Sequence, residues 1–125
     1  MVRLSRSEFE KLVARAVEAL PPKFLAQLQN VEVVVESYPT EDELEQAGVE
    51  PGGTLLGLYQ GVPQTERGSW YGNVLPDRIV LYQRPIEGLA GTLREIRQQV
   101  RITLMHEIGH HFGLDEDALS EAGYE

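Results

Sequence analysis

The chain has 125 residues, which suits one domain around a single core. A net charge of -9 excludes a general electrostatic grip on nucleic acid or on anionic membranes, and the absence of cysteine excludes disulfides and thiolate metal sites. Hydrophobic content of 42% and charged content of 25% are those of a soluble globular protein. No segment reaches membrane-spanning length and MVRLSRSEFEKLV has no apolar signal core, so the expected location is the cytoplasm.

The first element is a helix. Ser7 with Glu10 has the spacing of a capping box, and Phe9, Leu12, Val13, Ala16, Val17 and Leu20 recur at helical intervals. Pro21-Pro22 ends it, and a short turn or helix with Phe24, Leu25 and Leu28 follows. Val31–Glu36 is rich in β-branched residues and reads as a strand. Thr40 to Ala47 reads as a short acidic helix capped by Thr40 and Glu43 and stopped by Gly48, with its carboxylates on a solvated face. Pro51-Gly52-Gly53 is a turn, and Thr54–Gln60 a second strand.

Gly61 to Pro76 is the least regular stretch. Trp70 and Tyr71 lie in it, either on the rim of a cleft or as plugs in the core. Asp77–Gln83 is the third strand, with Ile79 and Leu81 on one face and Val80 and Tyr82 on the other. Pro85 closes that strand, and Gly88 to Gly91 lead into the last helix.

That helix carries the chemistry. Thr92 with Glu95 caps it, and Leu93, Ile96, Val100, Leu104 and Ile108 form one apolar stripe. It runs into HEIGHHFGLDE, His106 to Glu116, which holds every histidine of the chain. Residues four apart stand one turn above each other, so His106 and His110 share a face and can grip one cation. Glu107 lies where its carboxylate can reach a water on that cation, the H-E-x-x-H arrangement of zinc peptidases. Gly113 stops the helix and turns the chain back, so that Glu116 can bring an oxygen ligand. Asp115, Asp117 and Glu121 compete for that place. His111 points roughly 100° away from His110 and serves packing or hydrogen bonding instead.

The spelling H-E-x-x-H-x-x-G-x-x-E resembles the extended motif of the zincin-like metallopeptidases, and the run HEIGHHFGL with trailing acids is similar to their minimal bacterial members. The resemblance implies Zn2+ held by His106 and His110, with Glu107 as general base. Glu116 stands where that motif normally ends in His or Asp. In zincins the strand nearest the active site is an edge strand that pairs with an extended peptide. The resemblance gives that role to Asp77–Gln83, with a peptide or protein as substrate. The tail after Asp115 is too short for a lower subdomain, so the cleft is open unless a partner or a second copy of the chain, as a homodimer, completes it. Tyr124 can donate to a developing oxyanion or can pack.

The expected fold is α+β and zincin-like over residues 1–125: a small mixed sheet of three to four strands packed on the N-terminal helix and the active-site helix. The expected activity is hydrolysis of peptide bonds through a metal-bound water. The alternative is a metal-binding or peptide-binding module without turnover.

Overall fold

The computed structural model describes residues 2–61 and 77–111, with the backbone alone for His110 and His111. Helix α1 spans Arg6–Glu18, and its capping box is Ser5 with Glu8 rather than Ser7 with Glu10. The Glu8 N–H donates to Ser5 Oγ at 3.1 Å, and the Ser5 N–H donates to Glu8 Oε1 at 2.9 Å. Both pairs have the same spacing, so the cap chemistry alone does not choose between them. The flanking residues do: starting at Ser5 brackets the cap with Leu4 and Phe9, both in the core region, as a hydrophobic staple. Starting at Ser7 would bracket it with Arg6 and Lys11.

Helix α2, Pro22–Leu25, begins on Pro22 in its first turn and runs into a 3-10 turn, Ala26–Leu28. Strand β1 is Val31–Glu36. Helix α3 is Glu41–Gln46, with Thr40 and Glu43 closing the expected capping box. Its acidic face is not wholly solvated: Glu41, Asp42 and Glu45 are exposed, but Glu43 is buried. Strand β2 is Gly57–Gln60, shorter than Thr54–Gln60, although the Tyr82 N–H still donates to the Leu56 carbonyl.

Strand β3, Asp77–Tyr82, is followed at once by helix α4, Gln83–Gly88. Gln83 therefore leaves the strand. Pro85 does not end an element but sits in the first turn of α4, where its missing N–H has no helical acceptor to lose. Helix α5, Leu93–His111, is the longest, and the Glu95 N–H donates to Thr92 Oγ1 at its start.

The fold is α+β. Among the described residues the sheet has three strands in the order β1-β3-β2, with β1 parallel and β2 antiparallel to β3. This overturns the edge position expected for Asp77–Gln83. β3 is the central strand, its ladder taken by neighbours on both sides, and no peptide can add to it. The burial pattern agrees, because Ile79, Val80, Leu81 and Tyr82 are all at 0% exposure. A strand buried on both faces is a central one.

The core lies between one face of this sheet and the helices α1 and α5. Phe9 and Val13 of α1 meet Ile79 and Leu81 of β3 and the stripe Ile96, Val100, Leu104 and Ile108 of α5. Leu93 does not join that stripe: it is 40% exposed, one turn beyond the sheet's cover. None of the described helices is long and apolar enough to cross a membrane.

Candidate metal centre

The apolar stripe sets the rotation of α5. Burying Ile96, Val100, Leu104 and Ile108 turns the Gln99–Thr103 side of the helix to a flank. At roughly 100° per residue, His106 and His110 follow Thr103 on that flank, within about 60° of it. Thr103 is itself buried and fastened, its Oγ1 donating to the Gln99 carbonyl at 2.8 Å and accepting from Gln99 Nε2 at 3.2 Å.

Strand β2 lies against this flank. A Cβ at Gly57 would stand 2.7 Å from Thr103 Cγ2 and 3.2 Å from the Val80 carbonyl oxygen, so only glycine lets the strand come so near. Among the described residues, the outer strand on that side of the sheet thus runs beside the helix turn that leads to the histidines. Neither Gly57 nor Thr103 carries a signal in the sequence that would mark it. Their pairing is a contact across 46 residues, readable only once strand and helix are in place.

His106 and Glu107 are half-buried, and His106 Nε2 is shielded from solvent. The backbone of α5 continues through His110 and His111, which keeps His106 and His110 one turn apart on one face. Among the described side chains, no three of His, Asp and Glu gather as a metal-holding group. Glu116, Asp115, Asp117, Glu121, Gly113 and Tyr124 lie outside the described residues, as do Trp70 and Tyr71. What the described part offers is a shielded imidazole nitrogen with a carboxylate beside it, a donor set free of thiolate. That chemistry fits zinc, which takes imidazole and carboxylate ligands.

A second polar group sits on the opposite face of the sheet, under α3. Glu36 ends β1 beside Tyr82 in register, and Gln60 Nε2 reaches Glu43 Oε2 at 3.5 Å. Burial raises the Glu36 pKa above its ordinary value of 4.5, and the Glu43 charge and hydrogen bond add to it, against a smaller pull from Arg78 and Arg6. Burial and the same two carboxylates push the Tyr82 phenol up, so it stays protonated. This group belongs to the packing of α3 on the sheet.

Residues 28–124 match the family model described as zincin-like metallopeptidase. No curated protein matches the chain. A solved structure, that of a conserved hypothetical protein from Thermus thermophilus, is similar: 28% identical, with 97% of this chain and 100% of that chain covered and a TM-score of 0.57. The matched span of the family model runs from the end of the 3-10 turn through all three strands to beyond HEIGHHFGLDE, and the chain belongs to the zincin-like metallopeptidase family.

Proposed function

We propose that this protein is a zinc-dependent peptidase, with α5 as its active-site helix. The observation that carries the reading is the H-E-x-x-H run on the flank of α5 that faces β2, with His106 Nε2 shielded and Glu107 beside it. Family membership supports it, since zincin-like metallopeptidases imply zinc and peptide hydrolysis.

In this reading His106 and His110 hold the metal through one nitrogen each, and Glu116 contributes the carboxylate that completes three protein ligands. When bound, zinc lowers the pKa of a water toward neutrality and polarises the scissile carbonyl. Glu107 takes the proton of that water on its carboxylate and passes it to the leaving amine as the C–N bond breaks. Tyr124 donates a hydrogen bond to the carbonyl oxygen as it gains charge. The substrate is an extended peptide lying along the side of β2, the role first given to Asp77–Gln83, because β2 and not β3 is the outer strand beside α5.

The test compares wild type with Glu107→Gln on an unfolded protein substrate, together with zinc affinity measured by competition against a chromophoric chelator. The expected outcome is unchanged zinc affinity and a loss of cleavage of about 10²- to 10⁴-fold. Excess chelator should silence the wild type, and added zinc should restore it. Tight zinc binding with no cleavage by wild type would leave a metal-holding module and overturn the peptidase.

A further inference from the structure

At the far edge of the sheet from α5's flank, β1 borders a groove of about 660 Å³ between itself, α1 and the 3-10 turn. Its floor is apolar, with Val13 and Val17 from α1, Leu25 and Leu28 from the α2 region, and Val31 and Val33 from β1. Leu25 is 41% exposed there. The backbone along the groove is also accessible to a partner. The Asp77 N–H donates to the Asn30 carbonyl, so alternation turns Val31, Val33 and Val35 away from β3. Arg6 confirms the direction, since its Nη1 donates from the outer side to the Val35 carbonyl at 2.8 Å. Among the described residues no strand pairs with that edge of β1.

The charge around the groove selects the occupant. The charged side chains that line it are Glu10 and Glu18, both exposed carboxylates. Among the described residues no basic side chain lines it. A second copy of the chain, at net charge -9, would bring carboxylates against carboxylates.

We propose that the outer edge of β1 is a docking site for an extended peptide segment of a partner with alternate apolar residues between basic ends that share their face. The segment adds as a strand beside Val31–Val34, lays its alternate apolar side chains over Val13, Val17 and Leu28, and brings its basic ends, on that same α1-facing side, to Glu10 and Glu18. Main-chain hydrogen bonds to the outward groups of Val31 and Val33 hold it, and the alternation gives the specificity. The site is independent of the metal centre, which lies beyond β3 and β2.

The probe is a blocked heptapeptide, lysine-serine-valine-serine-valine-serine-lysine, titrated into the full chain by fluorescence anisotropy, with amide NMR to locate it. Two further versions carry N-methyl groups on either the valines or the serines. Saturable binding is expected, with amide shifts along Val31–Val35, and the Glu10→Lys/Glu18→Lys variant should weaken it at least tenfold. One N-methylated version should bind like the parent and the other should lose at least tenfold, because a strand added at one edge uses only alternate amides. No saturable binding overturns the proposal. Equal affinity of both N-methylated versions does so as well, since that marks adhesion to an acidic surface, and so do shifts confined to α5. Sedimentation that shows a concentration-dependent dimer, displaced by none of the peptides, assigns the edge to a second copy and also overturns it.

Discussion

Glu87 holds the N-terminal segment to the rest of the molecule. It is 2% exposed, and its carboxylate accepts from the Leu4 N–H at 2.8 Å, from Gln83 Nε2 at 3.1 Å and from Arg84 Nη1 at 2.6 Å. Gln83 completes the tie by donating to the Leu4 carbonyl at 2.9 Å. Burial by itself raises the Glu87 pKa; the bonds from Leu4, Gln83 and Arg84, with the Arg84 charge, outweigh it and hold the carboxyl below its ordinary 4.5. A depressed carboxyl stabilises the fold above the unfolded pKa, and that contribution is lost as pH falls through the folded value. Glu87→Ala should cost about 3 kcal/mol at pH 7, because it leaves a buried amide and a guanidinium without their acceptor. Urea denaturation at pH 7 and at pH 3 would check this, with the difference from wild type shrinking at the lower pH.

Glu36 has the opposite sign. Its pKa is raised, so its contribution is present below 4.5 and lost as pH rises through the folded value. At neutral pH its charge is a residual cost beside Glu43. Glu36→Gln imitates the protonated form and should raise the thermal midpoint at pH 8 while leaving it unchanged at pH 4. A lower midpoint at pH 8 would mean that Arg78 and Arg6 outweigh burial and Glu43.

At the level of elements, the approach of β2 to α5 is the feature on which the proposed cleft depends. The missing Cβ of Gly57 lets the strand lie on Thr103, one turn before His106 and Glu107. Gly57→Ala should destabilise by about 1–3 kcal/mol through overpacking. Thr103→Ser in the same chain should recover part of that, since it removes the methyl 2.7 Å away but not the Val80 carbonyl at 3.2 Å. Thermal melts of the two singles and the double would read the coupling, and strictly additive losses would refute the contact.

The helices α3 and α5 and strand β1 were legible in advance because each writes its own period or cap into adjacent residues, as Thr40 with Glu43 and Thr92 with Glu95 do. Helix α4 was not, because Pro85 reads as a terminator unless its place in a first turn is known. The start of α1 was half legible. Two serine caps compete in the sequence, and only the Leu4–Phe9 staple separates them.

Across the whole molecule, the sheet order of the described residues sets β2 and β1 at opposite edges. β2 lies beside the flank of α5 that carries the candidate metal site, and β1 borders the acid-rimmed groove at the other edge. By itself the sequence determined the α+β class, the last helix with most of its apolar stripe, and the H-E-x-x-H run by which the chain resembles the zincin-like metallopeptidases, the family it belongs to. These are local patterns: a helix face and a motif spacing are complete within a few turns of chain. Only the tertiary structure decided that β3 is central, that β2 flanks the helix, and that Glu43 is buried while its acidic neighbours face water. Strand pairing and burial are settled between segments far apart in the chain, where side-chain alternation says which face is apolar but not which strand lies next.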